Sequence, residues 1–321
     1  MHQTVGITGA AGFVGRALAQ RFHDEGSVVV GVDRVAGNGI EAADIREPGV
    51  WQARLAECDL VVHTAALVSQ VASRADAWAV NVVGTRRVLD ALAPRARLVH
   101  FSSTAVYSPH RPEGADERDP VRPTGRAYGD TKIASEQVVL AARAAGADVV
   151  VVRPSDVYGP GSRAWTDIPV SALRAGRLVL PAHGQGLVDP IFVDDLVDGV
   201  VTVARAPDLP SGVYNLSAGA PVPAAVFFSE YARRLGLRRP MTAPTTVATV
   251  VAELLGRVER LRGRPSELGV GAVEMLAKTG WVSPARVRRD VGWEARTPLV
   301  EGMRRTAAAL RAVRSDRVRS S

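Results

Sequence analysis

The chain has 321 residues, 46% hydrophobic and 23% charged, which is ample for a large core and ordinary for a folded protein. Its formal net charge of +7 comes from scattered basic residues, with no Lys/Arg block interleaved with aromatics, so no nucleic-acid partner is expected. A single cysteine, Cys58, excludes an internal disulfide, no run of about 18 uncharged apolar residues offers a membrane span, and the opening MHQTVGITGA lacks the marks of a signal peptide, so a cytoplasmic protein is expected.

TVGIT (4–8) reads as a first strand, and GITGAAGFVG places glycines at 6, 9, 12 and 15 between it and a helical stretch, VGRALAQRFHDEG (14–26). A strand, a glycine turn and a helix start, in that order, are what a dinucleotide site requires. Gly9 permits the tight turn, Gly12 lets the backbone approach a pyrophosphate, and Gly15 lets the helix pack close to the sheet. The N–H groups at that helix start, those of Phe13 and Val14, then meet the phosphate charge. The second strand, SVVVGVD (27–33), ends in Asp33, where a carboxylate can bind both ribose hydroxyls of NAD and repel a 2′-phosphate. The adjoining Arg34 leaves NADP open, with NAD the favoured cofactor.

Asp44 and Ile45 follow in a loop that carries little information alone. LVVHTA (60–65) reads as a third strand, AWAVNVVGTRRVLDALA (77–93) as a helix, and RLVHFSS (97–103) as a strand that brings Ser103 to the carboxyl edge of a sheet. That edge is where open α/β sheets bind ligands. There Ser103 either hydrogen-bonds a substrate oxygen or simply caps a turn. His63 and His100 lie in apolar strands and read as satisfied core histidines, and no His/Cys/Asp spacing suggests a metal.

AYGDTKIASEQVVLAARAAG (127–146) reads as a long helix with Tyr128 and Lys132 on one face. Only two lysines occur in the chain, Lys132 and Lys278; every other basic residue is arginine. Five tyrosines and that lysine frequency predict about 0.03 such pairs by chance. A phenol titrates near 10 and is a poor base at neutral pH, whereas a fixed ammonium nearby favours the phenolate. Lys132 is therefore expected to ready Tyr128 for proton exchange with a substrate hydroxyl or carbonyl, and Lys132→Arg to keep the fold yet lose most activity.

DVVVVRP (148–154) reads as a fifth strand. These nearly all-apolar runs fit parallel strands buried on both faces, so the expected fold is α/β, a doubly wound parallel sheet. Beyond about residue 155 loops and isolated helices take over, and LVDPIFVDDLVDGVVTVA (187–204) reads as a strand–helix pair returning to the sheet. The expected lobes are 1–155 plus 187–216 for the dinucleotide and a mostly helical 156–186 plus 217–313 for the substrate, with a flexible tail from Arg314.

Jointly, TGAAGFVG (8–15), Asp33, the DI pair at 44–45, HTAAL (63–67), NVVGT (81–85), FSSTAVY (101–107), YGDTK (128–132) and RPSDVYGPG (153–161) resemble the extended short-chain dehydrogenases/reductases, the NAD-dependent epimerase/dehydratase superfamily. The resemblance runs over nearly the whole chain. It implies Tyr128 as catalytic acid/base, Lys132 as its electrostatic partner and ribose ligand, and Ser103 as the residue that orients the substrate oxygen. It also implies cofactor contacts from Asp44, Ile45, Asn81 and the backbone at Thr64, Ala65, Ala66, Pro154 and Ser155. A homodimer through helices such as 77–93 and 126–145 is implied as well.

Departures narrow the subgroup. Thr104 and Ala105 stand where sugar dehydratases carry an acidic pair. Asp156 replaces the usual Asn of nucleotide-sugar enzymes, and Val188-Asp189 replaces an Arg-Asp pair, which is electrostatically unfavourable for a sugar diphosphate. GLVDPIFVDDLVDGVV and the C-terminal run are similar to the 3β-hydroxysteroid and sterol dehydrogenase branch. The expected activity is interconversion of a secondary alcohol and a ketone on an apolar or ring-bearing small molecule. A sugar epimerase and a non-catalytic NAD-sensing regulator are the alternatives.

Overall fold

A computed structural model describes residues 3–69, 71–261 and 269–319, without the side chains of 259–260 and 314–319. Strands and helices alternate through the first half: β1 (Thr4–Thr8), α1 (Phe13–Asp24), β2 (Val28–Asp33), β3 (Ile40–Ala42), α2 (Val50–Ala56), β4 (Leu60–His63), α3 (Arg74–Trp78), α4 (Gly84–Asp90), β5 (Arg97–Phe101), α5 (Ala127–Ala144) and β6 (Val149–Pro154). The second half holds β7 (Asp156–Tyr158), α6 (Ile168–Arg174), β8 (Val179–Leu180), β9 (Leu187–Val188), β10 (Pro190–Phe192), α7 (Val193–Arg205), β11 (Val213–Leu216), β12 (Val222–Pro223), α8 (Ala224–Leu235), β13 (Met241–Thr242), α9 (Thr245–Leu261), α10 (Val270–Leu276), α11 (Ala285–Val291) and α12 (Leu299–Arg319). No helix among the described residues is long and apolar enough to cross a membrane. The last two residues and the side chains of the tail from Arg314 lie outside the described residues.

Seven strands form one parallel sheet in the order β11-β6-β5-β4-β1-β2-β3. The chain leaves β1 toward β2 and β3, then returns to β4 and runs outward to β11, so the strand order reverses between β1 and β4. Thr8 of β1 is in register with His63 of β4, and the crevice beyond these two carboxyl ends is the expected ligand position. Val149–Val152 have no exposed surface, which explains why their sequence is uninterrupted Val rather than alternating. Leu18 and Phe22 of α1 and Leu196 and Val200 of α7 cover one face; Trp51, Leu55, Val88 and Val139 cover the other.

Two local expectations are corrected. The segment 190–192 does not rejoin the main sheet: β10 pairs in parallel with β7, outside it. The seventh strand is instead β11, whose Val213 is in register with Val151 of β6. The stretch 77–93 is not one regular helix, because a π turn at Ala79–Val83 separates α3 from α4. Such insertions often mark functional positions, and this one carries Asn81.

Candidate active site

The glycine turn closes through Gly9 N–H donating to Val32 O at 2.8 Å and Gly12 N–H donating to Gly9 O at 2.9 Å. Gly9 has φ +74°, the left-handed region that favours glycine. A Cβ on Gly15 would lie 2.0 Å from Gly9 O and 3.0 Å from Ala10 Cα, so this glycine lets the helix close on its own turn, where the sequence leads one to expect packing against the sheet. Gly12 caps α1 with no side-chain acceptor and no acidic residue follows in the first turn, which leaves the N–H groups at Phe13 and Val14 to an external anion. Asp33 is fixed beside them: its carboxylate accepts from Ala11 N–H at 3.1 Å and Val35 N–H at 3.0 Å. Four lone-pair sites per carboxylate leave capacity for ribose hydroxyls.

Arg34 is exposed and Ile45 is buried. Asp44 is clasped by Arg46, whose Nε and Nη2 donate at 3.0 and 2.7 Å to the same oxygen, and that hydrogen bonding holds the Asp44 carboxyl below its usual range. The loop after β4 is held by Thr64, whose N–H and hydroxyl both donate to Thr8 O at 3.1 and 2.7 Å. Asn81 is buried; its Oδ1 accepts from Leu67 N–H at 2.8 Å and its Nδ2 donates to Thr131 Oγ1 at 2.9 Å. It thus ties the Thr64–Ala66 loop to α5. Pro154 ends β6, and the next residue, Ser155, keeps a buried hydroxyl without a protein partner, as does Ser102 beyond β5. An uncapped helix start, a fixed carboxylate at the second strand end and two unpartnered hydroxyls at the same sheet edge fit a dinucleotide.

Tyr128 and Lys132 project from the first turns of α5, and Ser103 precedes the short 3₁₀ turn Thr104–Val106. The Ser103 hydroxyl both caps that turn, accepting from Ala105 N–H at 3.1 Å, and hydrogen-bonds the Tyr128 phenol. Burial holds the phenol above its ordinary value, and Ser103 only partly opposes this. The expected lowering by Lys132 is not found. Lys132 is 2% exposed, its Nζ donates to Phe101 O at 2.7 Å, and burial brings its own pKa down to about 8 against the pull of Glu136.

Two neutral histidines back this lysine. His63 bonds Thr8 Oγ1 at 2.6 Å and Thr85 Oγ1 at 2.9 Å, and burial drops its pKa to about 3. His100 bonds Ser135 Oγ at 3.0 Å through Nε2 while its Nδ1 has no partner, and burial takes it well below the usual range. Among the described residues no cluster of three His, Cys, Asp or Glu side chains can hold a metal.

The sequence reading missed the polar floor beyond β6. Arg153 forks onto Glu136 at 2.8 and 2.6 Å and donates to Tyr107 Oη at 2.7 Å, all buried. Asp156 is ion-paired with Lys278, whose Nζ lies 2.6 Å from Oδ1 and 5.1 Å from the centre of the Trp165 ring. Asp189 accepts from Ser217 Oγ at 2.7 Å and Val282 N–H at 3.2 Å; burial and the nearby Asp156 raise its pKa to about 6. The rarity of lysine pointed at Lys278 as well as Lys132. The charge argument against a sugar diphosphate changes accordingly, because the Asp156 carboxylate is already neutralised by Lys278.

The sequence profile of the NAD dependent epimerase/dehydratase family matches residues 5–217. The chain is similar to a 2-alkyl-3-oxoalkanoate reductase of Stenotrophomonas maltophilia, 30% identical over 94% of this chain and 98% of the relative. It is also similar to a 3β-hydroxysteroid dehydrogenase/Δ5→4-isomerase of Mycobacterium tuberculosis, 29% identical over 90% of this chain and 85% of the relative. Among solved structures, MoeE5 in complex with UDP-glucuronic acid and NAD aligns with a TM-score of 0.77 at 28% identity, over 97% of this chain and 99% of that one.

Proposed function

The chain belongs to the NAD dependent epimerase/dehydratase family, and we propose that within it the protein interconverts a ketone and a secondary alcohol on an apolar or ring-bearing small molecule, with Tyr128 as acid/base. The observation that carries this reading is the Tyr128–Ser103 hydrogen bond at the carboxyl edge of the sheet, beside the glycine turn. Relatives named as reductases and dehydrogenases along nine-tenths of the chain place it among NAD-dependent oxidoreductases rather than non-catalytic regulators.

NAD, when bound, exchanges a hydride with the substrate carbon. The residues that would hold it are Gly9, Gly12, Phe13 and Val14 at the diphosphate, Asp33 at a ribose, and Ser155 and Lys132 at the nicotinamide end. The chain's own work is the proton. Ser103 positions the substrate oxygen, and the Tyr128 phenol gives that oxygen its proton as the carbonyl becomes a hydroxyl; solvent then restores the phenol. A phenol kept neutral by burial is the donor form that reduction needs at neutral pH.

Tyr128→Phe is expected to lower kcat by about 10²- to 10⁴-fold on a ketone substrate while NAD affinity, measured by calorimetry, is kept. Undiminished turnover would remove Tyr128 from the mechanism. The likeness to MoeE5 supports a second reading, a nucleotide-sugar epimerase. UDP-sugars that fail to raise the Tm in the presence of NAD count against it.

A further inference from the structure

α9 buries one narrow face and leaves a second apolar face uncovered. Ala248 and Ala252 pack with Val273 of α10 and Val179 of β8, and Gly256 is buried on the same side. Beside that face run Val247, Val250, Leu254, Leu255, Val258 and Leu261, between 39% and 88% exposed. Their spacing of three, four and one residues keeps them on one side of a helix. Six of the 17 exposed large apolar residues among the described residues therefore form one stripe on one helix. Single exposed apolar side chains need no explanation, whereas a contiguous stripe marks an interaction surface. Met241, four residues before the helix, is exposed as well.

Positive charge flanks this stripe. Arg238 and Arg239 precede the helix, and Arg257 borders the stripe, three residues from Leu254 and four from Leu261. All three are exposed, and none forms an ion pair with a described residue. From 238 to 261 the sequence sets four arginines against two glutamates, in a chain of net charge +7. The 17 residues of α9 span about 25 Å, short of the roughly 30 Å needed to cross a bilayer, and include Glu253 and Arg257. A second copy of the chain is a poor occupant. One helix face offers a footprint of roughly 250 Å², against about 800 Å² per partner in a stable interface. An anionic lipid surface fits both the apolar stripe and the charge beside it.

We propose that the exposed stripe of α9, with Arg238, Arg239 and Arg257, docks the protein on an anionic lipid surface. The helix would lie in the plane of the interface, its apolar face among the acyl chains and its guanidiniums at the lipid phosphates. The docked helix is one element removed from the candidate active site. Glu274 of α10, on which α9 packs, is ion-paired with Arg126, two residues before Tyr128. Just beyond α10, Thr279 N–H donates to Pro109 O, in the loop that follows the Ser103 turn, at 3.0 Å. The docking surface does not depend on the chemistry assigned to Tyr128, and each can fail without the other.

The test floats the full chain with vesicles of phosphatidylcholine, alone or with about 30% phosphatidylglycerol, at low and high salt. The wild type is expected to partition onto the anionic vesicles at least about 10-fold more strongly than onto the neutral ones, and salt to weaken the difference. Replacing both Arg238 and Arg239 by Gln should lower the partition onto anionic vesicles by roughly 10- to 30-fold. Leu254→Asp should lower it at least about 10-fold, since a carboxylate then stands in the middle of the apolar face. These positions are exposed, and an unchanged Tm shows that each variant folds. Sedimentation velocity without vesicles gives the mass of the wild type and of Leu254→Asp. No flotation of the wild type, equal partition onto neutral and anionic vesicles, or partition unmoved by Leu254→Asp overturns the proposal. A wild-type dimer that Leu254→Asp splits assigns the stripe to a second copy and overturns it as well.

Discussion

On α5, burial acts on both ionisable groups in the same sense, against charge. Tyr128 is held above its ordinary pKa and stays protonated through neutrality, while Lys132 falls to about 8. The group that changes charge near working pH is thus the lysine. A ribose ligand that loses its proton also loses a charge-assisted hydrogen bond, worth about 1.5–3 kcal/mol. The affinity for NAD is expected to weaken, by roughly 10- to 30-fold, as pH rises from about 8 to 9.5, and Lys132→Met to show weak, pH-independent binding. Calorimetric titrations from pH 6.5 to 9.5 check this; a wild-type affinity flat across that range would separate Lys132 from the cofactor. The structure also revises the expected outcome for Lys132→Arg. A longer, planar head must enter a site that is 2% exposed and already bonded to Phe101 O, so lost activity should come with a stability cost of about 1–3 kcal/mol.

At the level of elements, β7 and β10 bring two carboxylates together at their starts. Asp156 N–H donates to Asp189 O and Asp189 N–H donates to the Asp156 carboxylate, at 2.9 and 2.8 Å. Lys278 neutralises one of the pair, and the other has its pKa raised to about 6 by burial and by its neighbour. A carboxyl with a raised folded-state pKa binds its proton more tightly in the native state. Its contribution is full below the unfolded value near 4 and is lost as pH rises through about 6, at most about 3 kcal/mol. Asp189→Asn removes that titration, so its Tm relative to wild type should climb between pH 4.5 and 7; a difference independent of pH would contradict the assignment.

The same region marks where the sequence stops being legible. β1, β2, β4, β5 and β6 announce themselves because central strands buried on both faces must be continuously apolar. β11 does not: it has four residues, and its buried Asn215 is tolerable only because Tyr107 and Glu117 bond its side chain and backbone. The Tyr128–Ser103 hydrogen bond was foreshadowed by a helix start and a strand end. Asn81 as a clamp and the Asp156–Lys278 pair were not, since each depends on partners 14 to 122 residues away.

For the whole molecule, one hydrophobic core joins regions that the sequence divides into two lobes. Ile7, Val99 and Val152 of the sheet belong to the same buried cluster as Tyr158, Trp165, Phe227 and Tyr231 and as Met303 of α12. The aromatic part is knit by edge-to-face contacts, with the Phe227 ring centre 5.5 Å from Tyr158 and 5.7 Å from Tyr231. Lobes meeting through a thin polar seam unfold separately, whereas elements that share a core lose it together. Heat is therefore expected to unfold the chain in one transition, with far-ultraviolet dichroism and tryptophan fluorescence superimposing. Both regions report: Trp51 lies in the core on the other face of the sheet, and Trp165 lies in the shared one. NAD at about 100 times its Kd should move both signals upward together, by the equivalent of about 2.7 kcal/mol. If NAD raised only a transition seen by dichroism and left an earlier fluorescence transition in place, the region around Trp165 would be an independent folding unit, and the shared core would not couple the substrate side to the cofactor side.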